Sequence, residues 1–249
     1  MALEHELAAA PRIGRPPVLA PQTEEGRRLA RSAQKTGAVR RQQRRVQHQD
    51  LSRTQLLDAA EEVFGRKGFH ETTLKEVADL AGFSVGSVYS FFENKDDLFR
   101  SVYVRRGKEF MPVLRDLVGS KSSALDVLHE VVTFQIQYFR DHPHFGRLYL
   151  WHSGHVFGSD AKPPFDPATV ENFEEAMALQ SKLFSRGQRA GVLRRGDPEV
   201  MSRLLSGLVA AYQEMDPAVS GGDPLAAERF PLDDLHELVH RAFSVEVVG

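Results

Sequence analysis

Residues 81–92 read AGFSVGSVYSFF, and this stretch decides the fold of the chain around it. Gly82 permits a sharp turn, because glycine adopts backbone conformations that other residues avoid. Ser84 is a typical helix N-cap, and the apolar residues that follow it have the spacing of an inward-facing helical stripe. The stretch therefore predicts a tight turn followed by a short third helix over residues 85–92.

Two further helices are predicted ahead of this turn. Apolar residues recur with helical spacing from Leu56 to Phe64, which predicts an amphipathic helix over residues 52–67. Thr73 and Glu76 have the spacing of a capping box, so a second helix is expected to begin there and to run into the turn. Two short helices joined by a glycine-containing turn and braced by a third form a helix-turn-helix, whose last helix can enter the major groove of DNA.

The residues within these helices are more specific than their arrangement. The informative strings are LDAAEEVF (57–64), GF (68–69), TT (72–73), VA (77–78), AGFSVGSVY (81–89), FF (91–92) and the span 95–98. Over residues 52–100 the sequence resembles the DNA-binding domain of TetR-type transcriptional regulators, and the ending Tyr-x-Phe-Phe-x-x-Lys is the most telling match. The resemblance implies an all-α homodimer with an N-terminal three-helix helix-turn-helix domain and a C-terminal helical domain for ligand binding and dimerisation.

The DNA-binding candidates follow from this resemblance and from their positions. The start of the third helix can approach bases closely, and the resemblance implies that the tyrosine and the lysine of the motif meet phosphate. A core position is the alternative for the tyrosine. The third helix has no Arg, Gln or Asn for bidentate base contacts, so direct readout is expected to be modest. The candidates are Arg53, Thr73, Lys75, Ser84, Val85, Gly86, Ser87, Tyr89, Ser90, Phe91 and Lys95.

Charge is distributed unevenly although the formal net charge is only -2. Residues 1–50 hold ten basic and five acidic side chains, whereas residues 51–110 hold nine and ten. Residues 1–50 also contain few large apolar residues, so a disordered basic N-terminal arm is predicted there. The arm can follow DNA phosphates or enter a minor groove, and the alternative is a solvated tail without a partner. The predicted DNA-binding domain is then 51–97, and the ligand-binding and dimerisation domain is 98–249.

Several protein classes are excluded by composition. The chain has no cysteine, which removes disulfides, thiolate nucleophiles and cysteine-ligated metal sites. The N-terminus does not read as a signal peptide, and eighteen consecutive apolar residues occur nowhere. A cytoplasmic location with no membrane partner is therefore expected.

The remaining chain is predicted to be helical. A fourth helix is expected to begin after the capping residue Asn94, to pass through Phe110 and to kink or break at Pro112. The five helices predicted beyond it cover residues 123–141, 143–152, 167–190, 197–215 and 232–243.

The last two of these helices are unusually apolar on one face. The resemblance implies that they form the dimer interface, and the alternative is that this face only closes the core of one protomer. The interface candidates are Leu204, Leu208, Ala211, Tyr212, Leu235 and Val239.

Aromatic residues gather between residues 110 and 184, and they can enclose an apolar ligand pocket. A packed aromatic core is the alternative, and the pocket is favoured by the family resemblance rather than by these residues alone. The pocket candidates are Phe110, Phe134, Tyr138, Trp151, His152, His155 and Phe173. The histidines have no acidic neighbours at metal-ligand spacing, so neither a metal site nor a cofactor is predicted.

These observations favour a ligand-responsive transcriptional regulator of the repressor type. It would bind a two-fold operator in double-stranded DNA as a homodimer, and a small apolar or aromatic effector would release it. Two alternatives remain open: an all-helical enzyme or carrier of an apolar molecule, and a dimeric DNA binder that senses no ligand. The enzyme alternative has little support, because the sequence shows neither a nucleophile paired with a base nor a phosphate-binding loop.

Overall fold

The structure is a computed structural model that describes residues 24–156, 167–222 and 225–245, without the side chains of residues 24–38, 41, 152–156, 168, 226 and 227. Over these residues the chain is all-α, as predicted, with one isolated bridge between Leu193 and Ser244 and no strand. The helices are α1 (Glu24–Glu71), α2 (Leu74–Ala81), α3 (Val85–Phe91), α4 (Lys95–Gly119), α5 (Ala124–Asp141), α6 (Pro143–Val156), α7 (Pro167–Arg189), α8 (Pro198–Met215), α9 (Pro217–Ser220), α10 (Ala226–Arg229) and α11 (Leu232–Phe243).

The chain divides into two compact units, Met1–Leu51 and Ser52–Gly249. The first unit is helical from Glu24, where the sequence predicts a disordered arm and a first helix that begins only at Ser52. This difference has a simple cause, because the segment is rich in Arg, Gln and Ala, which lose little conformational freedom in a helix. Its described side chains, at 39, 40 and 42–51, are all exposed, so helix propensity rather than burial within this unit supports the helix.

The helix-turn-helix of the second unit forms as its local signals predict. The α1 helix is interrupted at Gly68, whose φ of 78° and ψ of 172° are accessible to glycine. The side chains and backbones of Thr73 and Glu76 bond reciprocally and start α2, and Gly82 ends it in the left-handed conformation. Ser84 then caps α3 by accepting a hydrogen bond from the backbone of Ser87.

Of the kink or break predicted at Pro112, the break does not occur. Helix α4 continues from Lys95 to Gly119 with the proline inside it. Pro112 is exposed, whereas Met111, Leu114 and Val118 are buried on the opposite face. Proline has no backbone N–H and removes one hydrogen bond from the helix. Burial of the opposite face compensates for this loss, so the helix continues.

Two hydrophobic cores stabilise the second unit. The first joins α1, α2, α3 and the start of α4 to α5 and α6, and its large buried side chains include Phe64, Phe92 and Phe99. The second joins the rest of α4 to α5, α7, α8 and α11, and it includes Leu128 and Phe184. Helix α4 therefore contributes to both cores, and the first core continues across the predicted domain boundary at residues 97 and 98.

The later helices begin within one residue of their predicted starts. Two short helices, α9 and α10, are absent from the sequence-based prediction, although Asp216 followed by Pro217 is a typical helix start and Asp216 does cap α9. Val219 of α9 is fully buried in the first core. Among the described helices, we find no apolar segment of the length that a bilayer crossing needs.

Candidate functional site

The exposed face of α3 consists of small polar groups and one aromatic ring. Ser84 and Ser87 are linked through their hydroxyls at 2.8 Å, and the Ser90 hydroxyl donates to the Ser87 carbonyl at 2.6 Å. Gly86 is exposed, and Tyr89 is 57% exposed. The tyrosine is therefore outside the core, and this face presents hydroxyls and bare backbone to solvent.

The other two candidates on α3 have a different environment. Val85 and Phe91 are half-buried and pack against the first core. Their side chains help to hold α3 in place and leave only their outer edges exposed.

Lys95, at the start of α4, is held by the turn that follows Gly68. Its Nζ donates to the carbonyls of Phe69 at 2.9 Å, His70 at 3.3 Å and Thr72 at 3.0 Å, and it lies 4.5 Å from the Phe69 ring centroid. An ammonium group has three hydrogens to donate, so these carbonyls use its full capacity. A DNA phosphate could bind this Nζ only in place of one of them.

Arg53 and Lys75 are also engaged within the protein. The Arg53 guanidinium lies 5.0 Å from the Phe92 ring centroid and donates to the Ser101 hydroxyl at 3.2 Å. Lys75 pairs with Asp79 one helical turn away at 2.6 Å, and this hydrogen bond raises the pKa of Lys75. Both side chains are exposed, so their internal partners compete with phosphate only weakly.

Thr73 is committed to the capping box of α2. Glu76, which completes the box, also contacts Lys67 of α1. The hydrogen bond from Lys67, followed by those from Thr73, lowers the pKa of Glu76 to about 2. Glu76 is therefore ionised at neutral pH, and it fixes α2 to the end of α1.

A cavity of about 180 Å³ lies among α4, α5, α6, α7 and α8. Its described walls are mainly apolar and include the aromatic residues Tyr103, Phe110, Phe139, Phe145, Tyr149 and Phe173. Burial raises the pKa of Tyr149 to about 12, so its hydroxyl stays protonated. The cavity is large enough for a small organic molecule, since an engineered apolar cavity of roughly 150 Å³ binds benzene.

Of the seven predicted pocket residues, Phe110 and Phe173 line this cavity. Phe134 and Tyr138 lie behind Phe110, with ring centroids 4.8 and 5.1 Å from it, and they do not reach the cavity. Trp151 is 46% exposed and is not part of the wall. The side chains of His152 and His155 lie outside the described residues.

Three glutamines contribute polar groups to the cavity wall, namely Gln135, Gln180 and Gln213. All three are at least nine-tenths buried. The Nε2 of Gln135 donates to the Val131 carbonyl, and the Nε2 of Gln213 donates to the Gln135 carbonyl, each over a long 3.4 Å. The Oε1 of Gln180 is buried and accepts no hydrogen bond from the described residues.

An ion-pair network joins α4 to α1 close to this cavity. Arg105 and Arg106 both donate to Glu61, at distances of 2.7 and 2.8 Å, and Arg105 also pairs with Asp58 at 2.6 Å. Burial alone would lower the pKa of Arg106, but the hydrogen bonds that it donates to Glu61 and the negative charge of that carboxylate raise it. Glu61 is 5% exposed, and its two arginine partners satisfy its charge.

The predicted dimer residues divide into two groups. Tyr212, Leu235 and Val239 are at most 3% exposed and belong to the second core of the protomer. The prediction that these three side chains form an intersubunit surface is therefore wrong, because the opposite faces of α8 and α11 are the ones left open.

Leu204, Leu208 and Ala211 lie on or beside the open face of α8. Leu204 is 55% exposed, Ala211 is exposed and Leu208 is half-buried. Other exposed apolar residues continue this face: Val200 and Met215 on α8 and Leu238 on α11.

Sequence reasoning missed the buried glutamines and the Glu61 network. The glutamines interrupt apolar helical stripes, which is the signal that could have singled them out. Glu61 lies between the apolar positions 60 and 63 of the first helix, but the sequence does not reveal that two arginines about 45 residues later reach it. Within the described residues, no cluster of three or more His, Asp or Glu side chains could hold a metal ion.

The chain thus combines a helix-turn-helix, whose third helix is capped and partly exposed, with further helices that enclose a separate apolar cavity. This combination defines a helix-turn-helix protein. Residues 56–102 match the family described as bacterial regulatory proteins, tetR family. This match places the helix-turn-helix region of the chain in the TetR family.

Two curated relatives match over part of their length. The HTH-type transcriptional regulator YfiR of Bacillus subtilis (strain 168) is 43% identical over 56 residues, which are 22% of this chain and 27% of that protein. The HTH-type transcriptional repressor KstR2 of Rhodococcus jostii (strain RHA1) is 34% identical over an alignment of 94 residues, which covers 32% of this chain and 46% of that protein. The chain thus spans between about a quarter and a half of the length of these relatives.

The likeness to solved structures extends further along the chain. The transcriptional regulator FadR from Bacillus subtilis, crystallised in complex with stearoyl-CoA, has a TM-score of 0.58 and 18% sequence identity. The likeness covers 75% of this chain and 96% of that one. At this identity it shows a shared fold.

Proposed function

We propose that this protein is a ligand-responsive transcriptional repressor, and not an enzyme, that acts in the cytoplasm. As a homodimer it binds a two-fold operator in double-stranded DNA, and a small apolar effector releases it. The relatives named as transcriptional regulators and repressors support this function, and so does the exposed polar face of α3.

The observation that carries the proposal is the double role of α4. This helix begins directly after the helix-turn-helix, where Lys95 donates to a backbone carbonyl at the end of α1. Its middle turns line the cavity through Tyr103, Gly107 and Phe110. Arg105 and Arg106, on the same turns, hold α1 through Glu61. A ligand in the cavity therefore contacts the same helix that positions the helix-turn-helix. It changes DNA affinity to the extent that its own affinity differs between the position of α4 in the DNA-bound protein and a second position in the released protein.

DNA binding is tested by selecting bound sequences from a random duplex pool with the purified full-length protein. We expect enrichment of a two-fold operator. In a Tyr89→Ala variant we expect affinity for that operator to fall about tenfold, because the variant removes an exposed group that contacts the DNA. Val113→Ala, at an exposed apolar position on α4, is the matched control and should bind like the wild type. A folded protein that enriches no sequence would refute the proposal.

The homodimer is proposed to form through the open face of α8 and α11. The exposed fractions of Val200, Leu204 and Met215 are all at least 50%, so these side chains form an exposed apolar stripe of the kind that marks an interaction surface. We expect Leu204→Arg to convert a dimer into a folded monomer in sedimentation experiments and to abolish two-fold operator binding. Leu80→Arg, at a position 47% exposed on α2, is the control and should leave the dimer intact. A wild-type monomer at micromolar concentration would exclude this interface.

A further inference from the structure

The cavity wall contains no charged side chain among its described residues, although 27% of the whole sequence is charged. Its polar groups are amides and hydroxyls, contributed by Gln135, Asn172, Gln180, Ser206 and others. A carboxylate, phosphate or ammonium group placed here would lose its hydration and find no ion of opposite sign among these residues. These described wall residues therefore favour a molecule without charge.

Gln180 gives the cavity a specific polar requirement. Its side chain is 2% exposed and lines the cavity, and its Oε1 accepts no hydrogen bond from the described residues. Buried amide oxygens are nearly always hydrogen-bonded, whereas this one has no donor within the part of the chain that the structure describes. A bound molecule with an O–H or N–H group can supply it.

The other two glutamines add adaptable groups to the same wall. The amide nitrogens of Gln135 and Gln213 form hydrogen bonds of 3.4 Å, which is the weak end of the range. Either nitrogen can turn toward a ligand oxygen without losing a strong bond. A ligand hydroxyl could thus donate to Gln180 and accept from one of these amides.

We propose that the cavity takes an uncharged, mainly apolar molecule, and that Gln180 Oε1 accepts a hydrogen bond from its O–H or N–H group. The volume of about 180 Å³ suits one substituted ring rather than a long chain with a nucleotide. This inference rests on the proposed function, because it treats the cavity as the effector site. It separates this chain from the regulator crystallised with stearoyl-CoA, which is a highly charged ligand.

The test uses probes of similar size that differ in one group, with binding to the full-length protein measured by calorimetry. The probes are 3-phenylpropan-1-ol, its methyl ether, 3-phenylpropanoate and 3-phenylpropylammonium. We expect the alcohol to bind about fivefold more tightly than the ether, because only the alcohol donates to Gln180. We expect both ions to bind about a hundredfold more weakly than the alcohol.

Two variants distinguish the specific contact from a general loss of folding. In Gln180→Met the alcohol and the ether should bind equally, because the acceptor is gone. In Gln180→Glu the ammonium probe should gain affinity relative to the alcohol. Gln137→Met, at an exposed glutamine on α5, is the control and should keep the wild-type order.

Several results would overturn the inference. These are a carboxylate or ammonium that binds as tightly as the alcohol, an alcohol preference that survives in Gln180→Met, and the absence of binding by all four probes. Each of them leaves operator selection unaffected, so the inference can fail while the proposed function stands. Conversely, if the protein selects no DNA but binds the alcohol through Gln180, the proposed regulatory function is refuted and the proposed ligand contact stands.

Discussion

Gly65 allows α1 and α6 to pack closer together than any side chain would permit. A Cβ atom built at this glycine would lie 2.4 Å from the His144 carbonyl oxygen and 2.8 Å from its carbon. The contact also aligns Arg147, which donates to the Gly65 carbonyl at 3.1 Å and to the Val219 carbonyl at 3.2 Å. The absence of a side chain at Gly65 thus lets α1 pack directly against α6, and Arg147 of α6 links both to α9.

We expect Gly65→Ala to lower the free energy of unfolding by about 1–3 kcal/mol, because backbone atoms of α6 must move to admit the methyl group. Gly119→Ala is the matched control, since a Cβ at that helical position would meet no atom within 4 Å apart from its chain neighbours and the nearby backbone of its own helix. This control should raise stability by roughly 0.4–1 kcal/mol, because alanine restricts the unfolded chain. Urea unfolding of both variants measures the difference, and a Gly65→Ala protein as stable as the wild type would show that α6 yields without strain.

The elements of this fold differ in how well the sequence predicts them. Helices α2 and α3 are predicted closely because Thr73, Gly82 and Ser84 act locally through the backbone. The continuation of α4 past Pro112 and the helix before Ser52 could not be predicted in this way. The first depends on burial against distant helices, and the second on a weak propensity summed over many residues.

The candidate site shows the same division. The exposed residues of α3 are predicted from a local motif, whereas the cavity wall combines α4, α5, α6, α7 and α8. An apolar stripe does not reveal whether its aromatic residues face the cavity, as Phe110 does, or pack behind it, as Phe134 does. The same ambiguity explains why the sequence assigns Tyr212 to the interface, although it lies in the core.

The contact between α5 and α11 makes stability depend on pH. His129 Nδ1 and His236 Nδ1 lie 3.0 Å apart, so one of these nitrogens must be unprotonated. Burial, followed by the charges of His236 and His240, lowers the pKa of His129 below 6.5, and burial lowers that of His236. Asp126 and Asp233 oppose these shifts without cancelling them.

Because the folded pKa values are lowered, the unfolded chain takes up protons first as the pH falls. The stability that comes from these histidines is therefore complete only above about pH 7, and we expect it to fall as the pH drops through 6.5, where the unfolded histidines take up protons. Thermal unfolding of a His129→Gln, His236→Gln variant should show a smaller fall over this range, with a residual part from His144, whose pKa is also lowered by burial. His70→Gln, an exposed control, should retain the wild-type slope. An equal slope in all three proteins would contradict this origin.

At the scale of the whole molecule, the distribution of charge decides where DNA affinity can come from. Residues 51–110 hold nine basic and ten acidic side chains, and several of the basic ones, including Arg105 and Arg106, are paired internally. The segment 1–50 holds ten basic side chains against five acidic ones. In its described part, Arg40, Arg44 and Arg45 are exposed. We therefore propose that this segment supplies a large share of the phosphate contacts.

Deletion of residues 1–45 should make operator binding less sensitive to salt. Each phosphate contact that the deletion removes lowers the slope of log Kobs against log salt concentration by about 0.9, so we expect a reduction of about 2 or more. An Arg40→Gln, Arg44→Gln, Arg45→Gln variant of the full chain keeps its length and helix propensity and tests charge alone. It should show a smaller reduction in the same direction. An unchanged slope in both proteins would mean that the segment is a solvated tail, and that α3 and its flanking residues bind the operator without it.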